Sequence, residues 1–85
     1  MTYRLRLDKL TQAVIATLPE DAVTRRAEVW SALMVAPWAA GGPLVETNPD
    51  GAVRRLHFGE GKGLVVFVVV EHAREVMVVQ INWVG

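Results

Sequence analysis

Cysteine is absent from this 85-residue chain, which removes disulfides and thiolate metal sites together. A domain this small buries a modest share of its surface, and secreted domains of that size usually need such staples. The absence therefore points to a cytoplasmic protein. An excess of charge of either sign is also missing, with nine Lys and Arg against nine Asp and Glu. Proteins that coat nucleic acid carry a basic footprint, so the balance argues against a general coat protein and leaves a local basic patch open. Long hydrophobic runs are lacking. The longest strongly apolar stretch, Leu64 to Val70, is far short of the ~20 residues that span a bilayer, and no apolar segment of signal-peptide type follows Met1 to Lys9. A soluble protein without a membrane role is expected.

Chemical motifs are scarce as well. The two histidines, His57 and His72, have no metal-ligand spacing. No nucleophile elbow occurs, and Thr47-Asn48 is followed by Pro49, which forbids glycosylation there. Gly59-Glu60-Gly61-Lys62-Gly63 superficially resembles a phosphate loop, but it lacks the Walker spacing and leads into a strand, so no helix N-terminus would hold the anion. It reads as a hairpin turn. Neither a metal nor a cofactor is expected.

Apolar residues are plentiful. They make up 52% of the chain, a core-rich composition that folds. Thr2 to Leu7 alternates, with Tyr3, Leu5 and Leu7 opposite Thr2, Arg4 and Arg6, as a half-buried strand does. Asp8 offers an N-cap. Leu10, Val14 and Leu18, with Ile15 beside them, make one helical face that Pro19 terminates. Glu20 and Asp21 suit the first turn of a second helix, whose stripe reads Val23, Ala27, Trp30, Leu33 and Met34 until Pro37 ends it near Val35. So short a connection predicts an αα-hairpin. Trp38 to Gly51 is rich in turn formers and reads as a loop, with a short extended piece at Leu44 to Glu46. Ala52 to Phe58, Leu64 to Val70 and Val76 to Val84 read as three strands, the middle one apolar on both faces. Glu71 to Arg74 turns between the last two.

The reading is one α+β domain over residues 1–85, in the order β-α-α-β-β-β. An antiparallel C-terminal meander carries the αα-hairpin on one face. The first strand joins at one edge or beside the last strand. The second sheet face is open or covered by a partner.

One cluster invites chemistry. Arg54, Arg55, His57 and Lys62 fall on one strand and its following turn, with Arg55 and His57 on one side and Arg54 on the other, beside Leu56 and Phe58. Arginines clamp phosphates through paired donors, and a histidine or lysine moves protons, so the four are the candidate catalytic residues for attack by a ribose 2′-hydroxyl. A charged strand that resists edge-to-edge aggregation is the commoner explanation of the same residues. Trp30 and Trp83 sit on core-facing stripes. Trp38, just beyond a helix end, is assigned no role.

An opening Tyr3-Arg4-Leu5-Arg6-Leu7, a helix closing on Leu18-Pro19, a second helix, a Gly/Pro linker, Arg54-Arg55-Leu56-His57-Phe58-Gly59 and an apolar hairpin together resemble the RelE/ParE superfamily of type II toxins, over nearly the whole chain. The resemblance implies a cytoplasmic toxin with an antitoxin encoded beside it. Members similar to RelE cut mRNA on the ribosome, and members similar to ParE act on DNA gyrase. Arg54 and Arg55 match the family's basic strand position, and Lys62 matches a basic residue in the next turn. The sequence departs from the family where many members carry Tyr-Arg, here Gly63-Leu64, and at Asn82-Trp83-Val84-Gly85, where many end in a histidine or tyrosine with arginines. The implied cleavage set is thus incomplete. A non-catalytic binding module, a degenerate toxin or a homodimer is the alternative.

Overall fold

The computed structural model describes residues 2–45 and 51–84. The alternation near the N-terminus becomes strand β1 (Arg4–Leu7), and Asp8 stops it by capping helix α1 (Lys9–Ala16), its side chain accepting from the Thr11 N–H at 2.7 Å. The Thr11 hydroxyl and N–H hold the Asp8 carboxyl below its usual range. Pro19 sits at the cap of α2 (Glu20–Val35), which runs to Ala36 before Pro37 opens a one-turn helix, α3 (Pro37–Ala40). Proline is suited to that first helical position because its missing N–H would have no partner there. Trp38 therefore lies in a helical turn and not in the expected loop.

Both long helices are rotated from their sequence-predicted faces. In α1, Thr11 is buried while Leu10 is 80% and Val14 40% exposed; Ile15 and Leu18 pack on the core. A single residue joins β1 to α1, and Gln12 donates to the Leu7 carbonyl, so the connection sets the phase of the helix. In α2 the buried positions are Ala22, Val29 and Leu33, with Val23 outside. That set follows the same helical period shifted by one residue.

The chain then forms β2 (Gly42–Pro43), β3 (Val53–Phe58), β4 (Gly63–Val70), a 3₁₀ turn (Glu71–Ala73) and β5 (Glu75–Trp83). The sheet order is β1-β5-β4-β3-β2. The first strand is thus an edge and lies beside the last, pairing with it in parallel from Arg4↔Glu75 to Leu7↔Val78. β3, β4 and β5 form the expected antiparallel meander, Arg55↔Val66↔Gln80 running across it. The extended piece expected at Leu44 to Glu46 begins earlier: Gly42 and Pro43 pair with Arg55 and Arg54, and Leu44 N–H reaches the Val53 carbonyl at 3.1 Å. Gly41 makes this approach possible, because a Cβ there would collide with the Arg55 carbonyl oxygen. Pro43 is tolerated because the strand is an edge. Glu46 lies outside the described residues.

All three helices cover one side of the sheet. Val65, Phe67 and Val69 of β4 meet Val76, Val78 and Ile81 of β5 under Val29 and Leu33 of α2. Phe67 and Leu33 are completely buried, each worth about 1.5–3 kcal/mol of hydrophobic stabilisation. The other side carries no helix among the described residues, and Leu64, Val68 and Val70 are half-exposed there. A register shift between Val66 and Phe67 leaves Val79 of β5 unmatched. β1 stops opposite Val78, so β5 beyond that point has no strand on its outer side among the described residues. No helix among the described residues is long and apolar enough to cross a membrane.

Candidate functional site

The uncovered sheet face is the candidate site. Opposed residues in a sheet share a face and successive ones alternate. The pairing therefore places Arg55 and His57 of β3, Leu64, Val66 and Val68 of β4, Met77 of β5 and Arg4 and Arg6 of β1 together on the side away from the helices. The centre is aliphatic and the two rims are basic. Arg4 and Arg6 share one carboxylate, Glu75, at 3.4 and 3.3 Å; their side chains are 77% and 59% exposed, that of Glu75 15%. The rims stand three strand spacings apart, about 14 Å. That separation suits an extended anionic ligand crossing the strands, with arginine at each side to hold its phosphates. The face carries no aromatic ring among the described residues, so bases would lie on valine and leucine instead of stacking.

The four sequence candidates do not converge. Arg55 and His57 lie on the open face. Arg54 is turned inward, as the alternation predicts, and is only 6% exposed. Its guanidinium donates to the carbonyls of Gly51 (3.2 Å), Trp38 (3.3 Å) and Gly41 (3.2 Å), and stands 5.1 Å from the Trp38 ring centroid. It fastens α3 and the following loop to the sheet. Lys62 lies at the end of the sheet, in a turn whose Gly59, Glu60 and Gly61 all have positive φ (61°, 61° and 88°). It borders an open polar cleft of about 360 Å³ on the helix side, with Asp21, Thr24, Arg25, Glu28, Glu60 and Trp83. Trp83 packs on Phe58 with ring centroids 5.6 Å apart.

A second polar assembly had no signal beyond its individual residues. Glu71 Oε1 accepts from the Tyr3 hydroxyl at 2.6 Å and from Trp38 Nε1 at 2.7 Å, and Arg74 donates to Glu71 Oε2 at 2.7 Å and to the Tyr3 oxygen at 3.0 Å. The Arg74 guanidinium also covers the Tyr3 ring at 4.2 Å. These hydrogen bonds, from Tyr3 first, then Trp38 and Arg74, bring the Glu71 carboxyl down to about 2, while Glu71 and burial push the Tyr3 phenol up. The assembly joins the N-terminal strand, α3 and the β4–β5 turn. Its members are 68 and 33 positions apart in the chain, which is why no local pattern announces it.

No protein-family model and no curated protein matches the chain. Solved structures do. A mutant of the Escherichia coli toxin RelE in complex with an antitoxin RelBc peptide matches with a TM-score of 0.76 at 13% identity, over 100% of this chain and 86% of that one. The isolated E. coli RelE toxin matches with a TM-score of 0.75 at 12% identity, over 98% and 85%. A chain of the archaeal RelE–RelB complex from Pyrococcus horikoshii OT3 matches with a TM-score of 0.71 at 18% identity, over 100% and 98%. With so few residues shared, the likeness lies in the architecture, and this chain has the fold of the RelE toxins.

Proposed function

We propose that this chain is a RelE-like toxin of a toxin–antitoxin module, acting in the cytoplasm and neutralised by an antitoxin encoded beside it. The observation that carries the reading is the superposition of 98–100% of this chain on 85–86% of RelE, a protein solved both alone and with its antitoxin peptide. The open, basic-rimmed sheet face supports it, since a toxin must present a surface to its target. For an mRNA substrate on the ribosome, Arg55 would hold a phosphate and His57 would move the proton of the attacking hydroxyl. Arg54, bonded inside the sheet, would support that chemistry only by holding the fold, and Lys62, at the end of the sheet, stands apart from it.

Induced expression in a bacterial host, with and without the neighbouring gene, tests the proposal. Growth arrest relieved by the neighbour is expected, and unimpaired growth with abundant soluble protein would refute it. Arg55→Ala combined with His57→Ala should abolish mRNA cleavage and leave the fold intact. Unchanged cleavage would remove those two residues from the assignment.

The dispersal of the four candidates favours a second reading, in which the chain binds without cutting. A gyrase-directed toxin needs no acid–base pair, and a supercoiling assay that is silent at high protein excess would eliminate it. A homodimer closing the open face would show twice the chain mass in solution, and a strict monomer would eliminate that.

A further inference from the structure

The register carries Arg55 across Val66 to Gln80, and His57 across Leu64 to Asn82. Both carboxamides therefore stand on the open face, two strand spacings, about 9.5 Å, from the basic residues of β3. The irregularity opposite Val66 and Phe67 is what puts them there. Val76 and Val78 are buried on the helix side, so plain alternation would turn Gln80 and Asn82 toward the core. The extra residue, Val79, resets the alternation: Ile81 is buried, and Gln80 and Asn82 are exposed. Bulges that re-aim side chains in this way recur next to working sites. No other strand residue among the described ones is a carboxamide, and neither side chain has a hydrogen-bond partner among the described residues. β1 ends opposite Val78, so it does not crowd them.

We infer that Gln80 and Asn82 read a base of the RNA substrate and select adenine. The inference rests on the mRNA-cleaving reading above and adds which nucleotide is chosen. A strand held by its phosphates at Arg55 and crossing toward Arg6 passes the two amides on one flank. A base turned to that flank lies over Leu64 and Val66 and brings its edge to them. In single-stranded RNA both the Watson–Crick and the Hoogsteen edges are free to be read. Adenine then offers the two-proton donor N6 between two acceptors, N1 and N7. Each carboxamide supplies both a donor and an acceptor. Gln80 and Asn82, about 7 Å apart along one strand, can clasp one adenine from both sides, each carbonyl accepting an N6 proton and each amide N–H donating to N1 or N7. Guanine places its O6 acceptor where adenine has that donor, so on the N7 side an amide carbonyl finds no proton. A pyrimidine presents one such edge and engages one amide. Neutral amides do not hold phosphates as the rim arginines do, and base reading is the chemistry that fits them.

The test maps cleavage sites. Messenger RNA is recovered from cells expressing the wild-type chain or the double variant Gln80→Ala with Asn82→Ala, and its newly formed ends are sequenced. Wild-type cuts should fall at a fixed position beside an adenine at least about tenfold more often than at the other bases. Cutting at adenine sites should fall at least about tenfold in the double variant, which erases the preference. Each single variant should lose part of it. The purified double variant should keep the wild-type urea midpoint, because both side chains are exposed and make no internal bond. Wild-type cleavage without an adenine preference, or a preference retained by the double variant, would overturn this inference and leave the mRNA-cleaving reading standing. A lowered urea midpoint would assign the amides to the fold and overturn the inference as well. Absence of cleavage by the wild-type chain would overturn both.

Discussion

Arg54→Ala separates structure from activity at the strand that carries the candidate site. The wild-type guanidinium satisfies carbonyls from Gly51, Trp38 and Gly41 while stacked near Trp38, and the residue is 6% exposed. A hydrogen bond from a charged donor is worth roughly 1.5–3 kcal/mol, and three on one group are not additive. Water entering the vacated space would recover part of the loss, so the net cost is expected to be about 3 kcal/mol. A chain of 85 residues has a total stability of roughly 4–13 kcal/mol, and the midpoint of thermal unfolding should therefore fall by roughly 12–24 °C. Urea unfolding followed by tryptophan fluorescence and by far-UV circular dichroism gives the number directly, and Trp38 should report the loosening. Arg54→Lys should recover less than half, because a point charge cannot reach carbonyls fanned out for a planar fork. The reasoning is refuted if Arg54→Ala keeps the wild-type midpoint but loses growth arrest, for Arg54 would then act on the target and not on the fold.

Two further perturbations test the remaining architecture. Glu71 has a folded-state pKa of about 2 against an ordinary 4.5; a depressed carboxyl stabilises the fold above its unfolded value and loses that contribution as pH falls toward the folded one. Unfolding midpoints measured between pH 5 and 2.5 should thus decline more steeply in the wild type than in Glu71→Gln, and parallel profiles would show that the Tyr3–Trp38–Arg74 assembly is not coupled to folding. Gly63→Ala should cost about 2 kcal/mol, since its Cβ would press into the buried Phe58 ring, as overpacking does elsewhere; an unchanged urea midpoint would mean that the ring moves freely.

The strands and the long helices were legible because their causes are local. Asp8 caps, Pro19 and Pro37 break, and the alternation around Leu56 placed Arg55 with His57 and Arg54 opposite them. Helix rotation was not legible. Leu10 and Val14 follow the period of a buried stripe, but the one-residue link from β1 turns Thr11 inward, and a link's geometry leaves no mark in periodicity. The strand at Gly42–Pro43 was hidden because both residues are ordinarily turn formers, and only the partner strand makes them extended. Within the candidate site, β3's contribution could be read and Arg4 and Arg6 could not, because the position of β1 in the sheet depends on a strand some seventy residues away.

That distance bears on how the protein is made. Arg4 finds its partner only when Glu75 exists, and Tyr3 reaches Glu71 across 68 positions. At translation rates of about 5–20 residues per second, the N-terminal strand must wait several seconds outside the ribosome before anything can pair with it. The first strand synthesised is among the last to dock. A chain that stalls before residue 75 has neither the basic rim of Arg4 and Arg6 in place nor a completed sheet. For a protein proposed to injure the cell that makes it, the fold withholds its working surface until β5 has been made, by which time an antitoxin already present can meet it.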